Sequence, residues 1–399
     1  MLVNFSIVVI IALIARALFE KIKIPGILGM ILVGILLGPH CINYIDASIL
    51  NDELGISKDL RNAALIIILI RAGLGISKKT LNKVGIPAAT MSCIPGIFEG
   101  ATITIVAHYL LKMDFITSGI LGFIIAAVSP AVVVPQMLDL KERKFGQRKE
   151  IPTLILAGAS VDDVFAITIF SSLLAMKLGA SDNLILQLGN IPLSIFTGVL
   201  IGTTIGFALH YLFKFIPMRA TKKAILFMVV AILFNNLEHI EIFPIASLLG
   251  IMAVGFILLE LDSKIANELA NKFNKAWILA EVVLFVLIGA AVDIKVMFNA
   301  GLIGLIIIII GLLARSIGVY IALIGSQLNK KEKLFCAFAY LPKATVQAAI
   351  GAIPLSEGVE YGDKILAIAV LSIIVTAPLG SFLIKFTGER FLECNKKNT

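Results

Sequence analysis

The sequence predicts an all-α membrane protein with about 13 transmembrane helices. Hydrophobic residues make up 59% of the 399 residues and charged residues only 15%, a composition that a water-soluble domain cannot bury. Apolar runs of about 20 residues recur along the chain, the length of helix that crosses a bilayer core of about 30 Å. The runs lack the alternation of a membrane barrel, and lipid cannot satisfy exposed backbone groups, so helices are required.

The apolar runs divide the chain into consecutive predicted spans. They are 3–19, 24–38, 60–76, 86–111, 116–138, 152–176, 190–213, 221–237, 243–260, 276–292, 300–325, 333–354 and 364–386. Residues 1–15 are apolar ahead of Arg16, whereas a signal peptide carries its basic residues first, so we expect a retained first helix.

The charges of the connecting loops alternate along this segmentation. Lys and Arg cluster at 21–23, 78–83, 141–149, 214–223, 264–275 and 330–333, and acidic residues cluster at 46–59, 182, 238–241, 293 and 357–363. Because positively charged loops stay in the cytoplasm, the N-terminus is predicted outside and the C-terminus inside.

Other functional classes find little support in the composition. The net charge of +8 is explained by the cytoplasmic loops, and no basic patch interleaved with aromatic residues predicts nucleic-acid binding. The four cysteines and four histidines lack the spacing of metal ligands, and a phosphate-binding loop is absent, so no cofactor is expected.

The strongest functional signal is the adjacent pair Asp162 and Asp163 in the sixth predicted span. An ionisable group near the middle of a membrane costs a few kcal/mol, so it needs a partner, a cavity or a function. Adjacent helical residues point about 100° apart, so the two carboxylates can take different roles. The alternative is that one or both are held in structural ion pairs.

Two further charges lie alone in apolar spans, Glu99 in the fourth and Arg315 in the eleventh. The simplest arrangement is that they pair with each other, which is a structural role.

Prolines interrupt two spans near their centres. Ser129 and Pro130 lie in the fifth span, and Pro342 and Lys343 lie in the twelfth. A proline within a helix removes a hydrogen bond and breaks or kinks it. Spans five and twelve run in opposite directions, which predicts an inverted repeat of spans 4–6 and 11–13, with two crossed, discontinuous helices at a midplane binding site. A simple kink in each span is the alternative.

Five segments together resemble the monovalent cation/proton antiporter superfamily, in the branch with an Asp-Asp pair on the sixth of 13 spans. They are PGILGMILVGILLGP, IRAGLG, AAVSPAVVVPQML, ASVDD and LPKATVQAAIG. The sequence is similar to the sodium/hydrogen exchanger-like proteins of animals and their bacterial relatives. Many such proteins carry a Lys on the eleventh span, thought to pair with the first Asp, where this chain has Arg315.

The resemblance implies a homodimer in the lipid bilayer, in a bacterial plasma membrane. Residues 1–85 and 216–299 would form the dimer scaffold and residues 189–215 a linker helix. Residues 86–188 and 300–399 would form the mobile ion-transport core, the latter with a short cytoplasmic tail.

The implied activity is exchange of Na⁺ or Li⁺ for H⁺ by competition for Asp163. Asp162, Ser129 and free backbone carbonyls would assist in binding Na⁺, and Lys343 would stabilise the carbonyl end of a broken helix, unless it titrates itself. K⁺/H⁺ antiport, a sodium-coupled organic-solute symporter and an intramembrane aspartyl protease are the alternatives. The protease would need two aspartates on different helices.

Overall fold

The protein is built from α-helices over residues 2–22, 24–45, 56–75, 78–179, 184–236 and 245–394, which are the residues described by the computed structural model. In chain order the helices are α1 Leu2–Lys21, α2 Gly26–Leu37, α3 Ile56–Gly75, α4 Lys78–Met91, α5 Ile94–Leu111, α6 Phe115–Ala126, α7 Pro130–Glu142, α8 Ile151–Leu178, α9 Leu184–Phe215, α10 Ala220–Asn236, α11 Ser247–Leu261, α12 Ser263–Ala291, α13 Ile294–Ala322, α14 Lys330–Ala339, α15 Thr345–Ile350, α16 Ile353–Ser356 and α17 Gly362–Phe391.

Seven helical segments within these residues are long and apolar enough to cross a membrane. They are Gly85–Leu111, Phe115–Glu142, Ile151–Leu178, Leu193–Phe215, Ser263–Ala291, Gly301–Ala322 and Gly362–Phe391. Large apolar side chains such as Ile14, Phe298 and Leu302 are more than half exposed, which suits a surface that faces lipid. The prediction of an all-helical, multi-pass membrane protein is confirmed. The count of 13 spans and the orientation of the termini stay predictions.

The fourth and the tenth predicted spans differ clearly from the helices of the structure. The fourth is interrupted by a turn at Ser92 and Cys93, just before Pro95 in the first turn of α5, where a proline fits because that position needs no N–H partner. The tenth begins 13 residues early, since α12 starts at Ser263 and makes the predicted basic loop helical. The carboxylate of Asp262 caps this start by accepting from two backbone N–H groups.

The most extensive packing falls into two groups of helices. In the first group α2 and α3 pack on α12, α3 also packs on α11, and α9 packs on α11. In the second group α5 packs on α6 and α13, α6 and α4 pack on α8, and α13 packs on α17. The groups meet where α15 contacts α3 and where α8 contacts α9 and α11. The helices that carry Asp162, Asp163 and the twelfth-span break therefore lie at this boundary.

Glycines allow two helices of the first group to approach closely. A Cβ atom added at Gly34 of α2 would lie 2.2 Å from the carbonyl oxygen of Val286, and one added at Gly289 of α12 would lie 2.2 Å from that of Ile31. Backbone atoms cannot move aside as a flexible side chain can. The contact between α2 and α12 therefore requires glycine at both positions.

We predict that Gly34→Ala lowers the stability of the protein by about 1–3 kcal/mol, because the added methyl group forces the two backbones apart. Gly301→Ala is the control, since a Cβ at Gly301 meets no atom within 4 Å. It should be neutral or stabilising by up to about 1 kcal/mol, because alanine favours the helix. Thermal unfolding in detergent measures both changes. Equal effects of the two variants would contradict the close contact.

Candidate functional site

The two proline-containing breaks touch each other. Between α6 and α7 the backbone is extended at Ala127 and at Ser129, with ψ of 144° and 109°. Residues 341–344 are likewise non-helical between α14 and α15. The Ser129 N–H donates to the Pro342 carbonyl at 2.9 Å, and the Thr345 N–H approaches Ser129 Oγ at 3.4 Å. Pro130 begins α7, where its missing N–H costs nothing.

The carbonyl end of α6 is covered by side-chain donors. Gln347 Nε2 lies 3.1, 3.3 and 2.8 Å from the carbonyl oxygens of Ile124, Ile125 and Ala127. The remaining carbonyl, that of Ala126, accepts a hydrogen bond from Arg315. Carbonyls at this break were expected to be free for a cation. The four carbonyl oxygens of Ile124, Ile125, Ala126 and Ala127 instead lie within hydrogen-bond distance of a side-chain donor, because a helix end inside a protein needs donors.

Gln347 is absent from the sequence-based site. It is fully buried, and its Oε1 accepts from the Ala344 N–H at 2.9 Å, so the amide joins the start of α15 to the end of α6. The available signal was its position, a polar side chain in an apolar segment five residues after Pro342.

Four buried charged side chains form one network. Arg315 Nη1 lies 2.6 Å from Glu99 Oε2, and Arg315 Nη2 lies 2.6 Å from Asp162 Oδ2. Lys343 Nζ also lies 2.6 Å from Glu99 Oε2. All four side chains are completely shielded from solvent. Each carboxylate thus has a basic partner at charge-assisted hydrogen-bond distance.

The network differs from the expected pairing in two respects. Arg315 and Glu99 are in contact, but Arg315 also binds Asp162, the first aspartate of the pair. Lys343 was expected at the carbonyl end of a broken helix, yet its ammonium group pairs with Glu99. A full negative charge attracts an ammonium group more strongly than the partial charge of a helix end.

The two aspartates have different surroundings. Asp162 Oδ2 accepts from the Val128 N–H at 3.1 Å in addition to Arg315. Asp163 is 4% exposed, and within the described part of the chain it has neither a hydrogen bond nor an ion pair. Its Oδ1 atom is buried without a partner. The Asp162 carboxylate is therefore held in place, whereas the Asp163 carboxylate has no partner among the described residues.

Ser129 lies at the break but is not joined to the aspartates by a hydrogen bond in the described residues. Its hydroxyl is fully buried, 3.5 Å from Thr345 Oγ1. The structure therefore brings Ser129 together with the other break rather than with Asp162 or Asp163.

An aromatic ring supports the arginine. The Arg315 guanidinium lies 5.4 Å from the centre of the Tyr340 ring, a cation–π distance. The Tyr340 hydroxyl reaches α8, where a Cβ at Gly158 would lie 2.1 Å from it. Gly158 is one helical turn before Asp162, so glycine there makes room for the ring beside the network.

The buried charges do not cancel. Glu99, Asp162 and Asp163 contribute three negative charges when ionised, whereas Arg315 and Lys343 contribute two positive charges. One negative charge is left over in a region where unbalanced charge is costly. A single monovalent cation or a proton at Asp163 would balance it.

Comparison with known proteins identifies the family of the chain. Residues 9–390 match the transmembrane sodium/hydrogen exchanger family. The chain belongs to the sodium/hydrogen exchanger family. Its members are membrane transporters that exchange cations for protons, not enzymes. The human sodium/hydrogen exchanger 9B2 is 35% identical over 93% of this chain and 70% of the relative, and the human sodium/hydrogen exchanger 9B1 is 28% identical over 92% and 73%.

A solved structure shares the fold of this exchanger family member. The sodium proton antiporter MjNhaP1 from Methanocaldococcus jannaschii superposes with a TM-score of 0.84 over 97% of each chain. The sequence identity is 18%, so the likeness concerns the fold.

We predict that Glu99 and Arg315 are energetically coupled. Glu99→Ala removes the carboxylate that pairs with Lys343, and Arg315→Ala removes the guanidinium that pairs with Asp162. Each single change therefore leaves one buried charge without an ionic partner and should cost about 3–5 kcal/mol. The double variant should cost less than the sum, with a coupling of about 0.5–3 kcal/mol, measured by thermal unfolding.

The control cycle uses Arg143 and Glu389, which pair at the C-terminal ends of α7 and α17 with both side chains about half exposed. Its coupling should stay below about 1 kcal/mol, because water screens the pair. Additive effects at Glu99 and Arg315 would contradict the buried pair.

Proposed function

We propose that the protein exchanges Na⁺ or Li⁺ for H⁺, and that Asp163 binds the cation and the proton in turn. The observation that carries the proposal is that Asp163, buried beside a network whose four charged side chains are all ion-paired, has no ion-pair partner among the described residues. A carboxylate offers hard oxygen ligands that suit Na⁺ and Li⁺, and the same oxygen atoms can bind a proton. Because proton and cation compete for the same oxygen atoms, only one of them crosses at a time.

Asp162 takes a different role in this proposal. Its Oδ2 atom is used by Arg315 and the Val128 N–H, so that side of the carboxylate orients the site. Its Oδ1 atom is buried without a partner and is the second oxygen that we propose for Na⁺. Ser129 would complete the shell after a small movement of the break.

The charge count further suggests exchange of one cation for one proton. The buried groups reach neutrality with a single positive charge at Asp163, provided that Lys343 stays charged. Its contact with Glu99 supports that state, because losing the proton would remove an ion pair from a low-dielectric site. The exchange would then carry no net charge across the membrane.

The proposed movement is elevator-like alternating access. Residues 86–188 and 300–399 would move as the transport core against a dimer scaffold of residues 1–85 and 216–299, with residues 189–215 as the link. The site lies where α8 and α15 meet helices of the other packing group, which is where such a movement would expose it. A homodimer in a bacterial plasma membrane is the assembly and location proposed.

The first experiment replaces Asp163 by Asn. The protein should remain folded, since no basic side chain loses its partner, and exchange should be abolished, because an amide cannot trade a proton for a cation. Asp162→Asn should instead lower stability by about 3–5 kcal/mol, because it breaks the buried pair with Arg315.

Dissipation of a pH gradient in proteoliposomes measures this exchange after addition of Li⁺, Na⁺ or K⁺. A response to K⁺ alone would favour K⁺/H⁺ antiport over the proposed ion preference. If Asp163→Asn still dissipates the gradient with Na⁺, Asp163 is not the carrier.

The second experiment tests the charge count. The rate of Na⁺/H⁺ exchange in liposomes should not change when a membrane potential is imposed, because the cycle moves no net charge. If the potential drives the native protein and Lys343→Gln exchanges without that dependence, then Lys343 titrates and the proposed stoichiometry is wrong.

A further inference from the structure

We propose that Gln347 is a positioning residue for exchange, because its neutral amide covers the carbonyl end of α6 and leaves the cation to Asp163. This inference rests on the proposed exchange at Asp163. Gln347 Nε2 contacts three carbonyl oxygens at the end of α6, and Arg315 contacts a fourth carbonyl oxygen there.

An uncovered carbonyl end would compete for the transported ion. The C-terminal end of a helix carries a partial negative charge of about half an elementary charge, concentrated on its last carbonyls. Asp162 accepts from the Val128 N–H at the same break, and Arg315 binds both Asp162 and the Ala126 carbonyl. A cation that entered this region would find a second set of oxygen ligands if Gln347 did not occupy them.

The amide also keeps the buried charge in balance. Together with Asp163, the network has one negative charge more than its basic groups can neutralise. A basic side chain at position 347 would cancel that charge and remove the demand for a cation. An acidic side chain would add a second negative charge and present no N–H donor to the carbonyls. A glutamine satisfies the helix end without altering the charge.

The same side chain fixes the geometry between the two breaks. Gln347 Oε1 accepts from the Ala344 N–H, so one amide spans the start of α15 and the end of α6. This fixes the segment that presents the Val128 N–H to Asp162 at 3.1 Å. Gln347 thus acts on the carrier through Asp162 and the break, without contact with the ion.

The experiment compares the maximal exchange rates of two Gln347 variants with that of the native protein in proteoliposomes, at acidic and at alkaline pH. Gln347→Glu should exchange well at acidic pH, where a protonated carboxyl group can donate. Relative to the native protein its rate should fall by about tenfold or more at alkaline pH, where it has no donor. Gln347→Met, which has neither donor nor charge, should be slowed by about tenfold at both pH values.

Gln136→Glu is the matched control. Gln136 is a second glutamine of the transport core, and its Nε2 bonds to the Val132 carbonyl and to Ser381 Oγ, each at 3.1 Å. The rate of this variant relative to the native protein should not depend on pH, because the residue does not contact the end of α6.

Each outcome separates this inference from the proposed function. A native protein that does not exchange Na⁺ for H⁺ overturns the proposed function itself. If the native protein exchanges and the relative rate of Gln347→Glu is independent of pH, or Gln347→Met is as fast as native, the inference is wrong. If both Gln347 variants fail to fold while Gln136→Glu folds, Gln347 supports the fold and not the site, which also overturns it.

Discussion

The structure depends on one completely buried guanidinium group. Arg315 is completely shielded, and a positive charge in such a place is tolerated only when acceptors surround it. Glu99 of α5, the Ala126 carbonyl of α6 and Asp162 of α8 supply those acceptors, and the Tyr340 ring lies over the group. One side chain of α13 therefore sets the relative positions of three other helices.

Because Arg315 needs acceptors, the two adjacent aspartates are not equivalent. Asp162 is taken up by Arg315 and by the backbone of the fifth-span break, and Lys343 occupies Glu99 from the other break. Both basic side chains of the network are then paired, and Asp163 has no partner among the described residues. Under the proposed exchange, a cation or a proton bound at Asp163 balances the charge of this carboxylate.

The sequence predicted those parts of the site that contain residues rarely found within apolar spans, namely charged residues and prolines. Charges in apolar spans identified Glu99, Arg315 and the aspartate pair, and prolines identified both breaks, because each would be costly in a membrane without a purpose. The apolar periodicity likewise predicted the helical fold. These are local signals, and a single sequence is enough to detect them.

The sequence could not predict which partners these groups find in three dimensions. Lys343 was assigned to a helix end because its partner on α5 is 244 residues away in the chain. Gln347 was not predicted as a site residue, because a neutral amide in an apolar segment costs less free energy than a charge and is a weaker signal of function. The early start of α12 depends on the Asp262 cap. The lysines at 264–275 are also typical of a loop, so the sequence did not predict a helix there.

The proposed exchange depends on competition between a cation and a proton for Asp163. Titration of the purified protein with Li⁺ or Na⁺ in buffers of different ionisation enthalpy measures how many protons leave as the cation binds. We expect release that rises towards about one proton per cation as the pH is lowered, and no cation binding by Asp163→Asn. Cation binding without proton release at any pH, or unchanged binding in Asp163→Asn, would contradict the account.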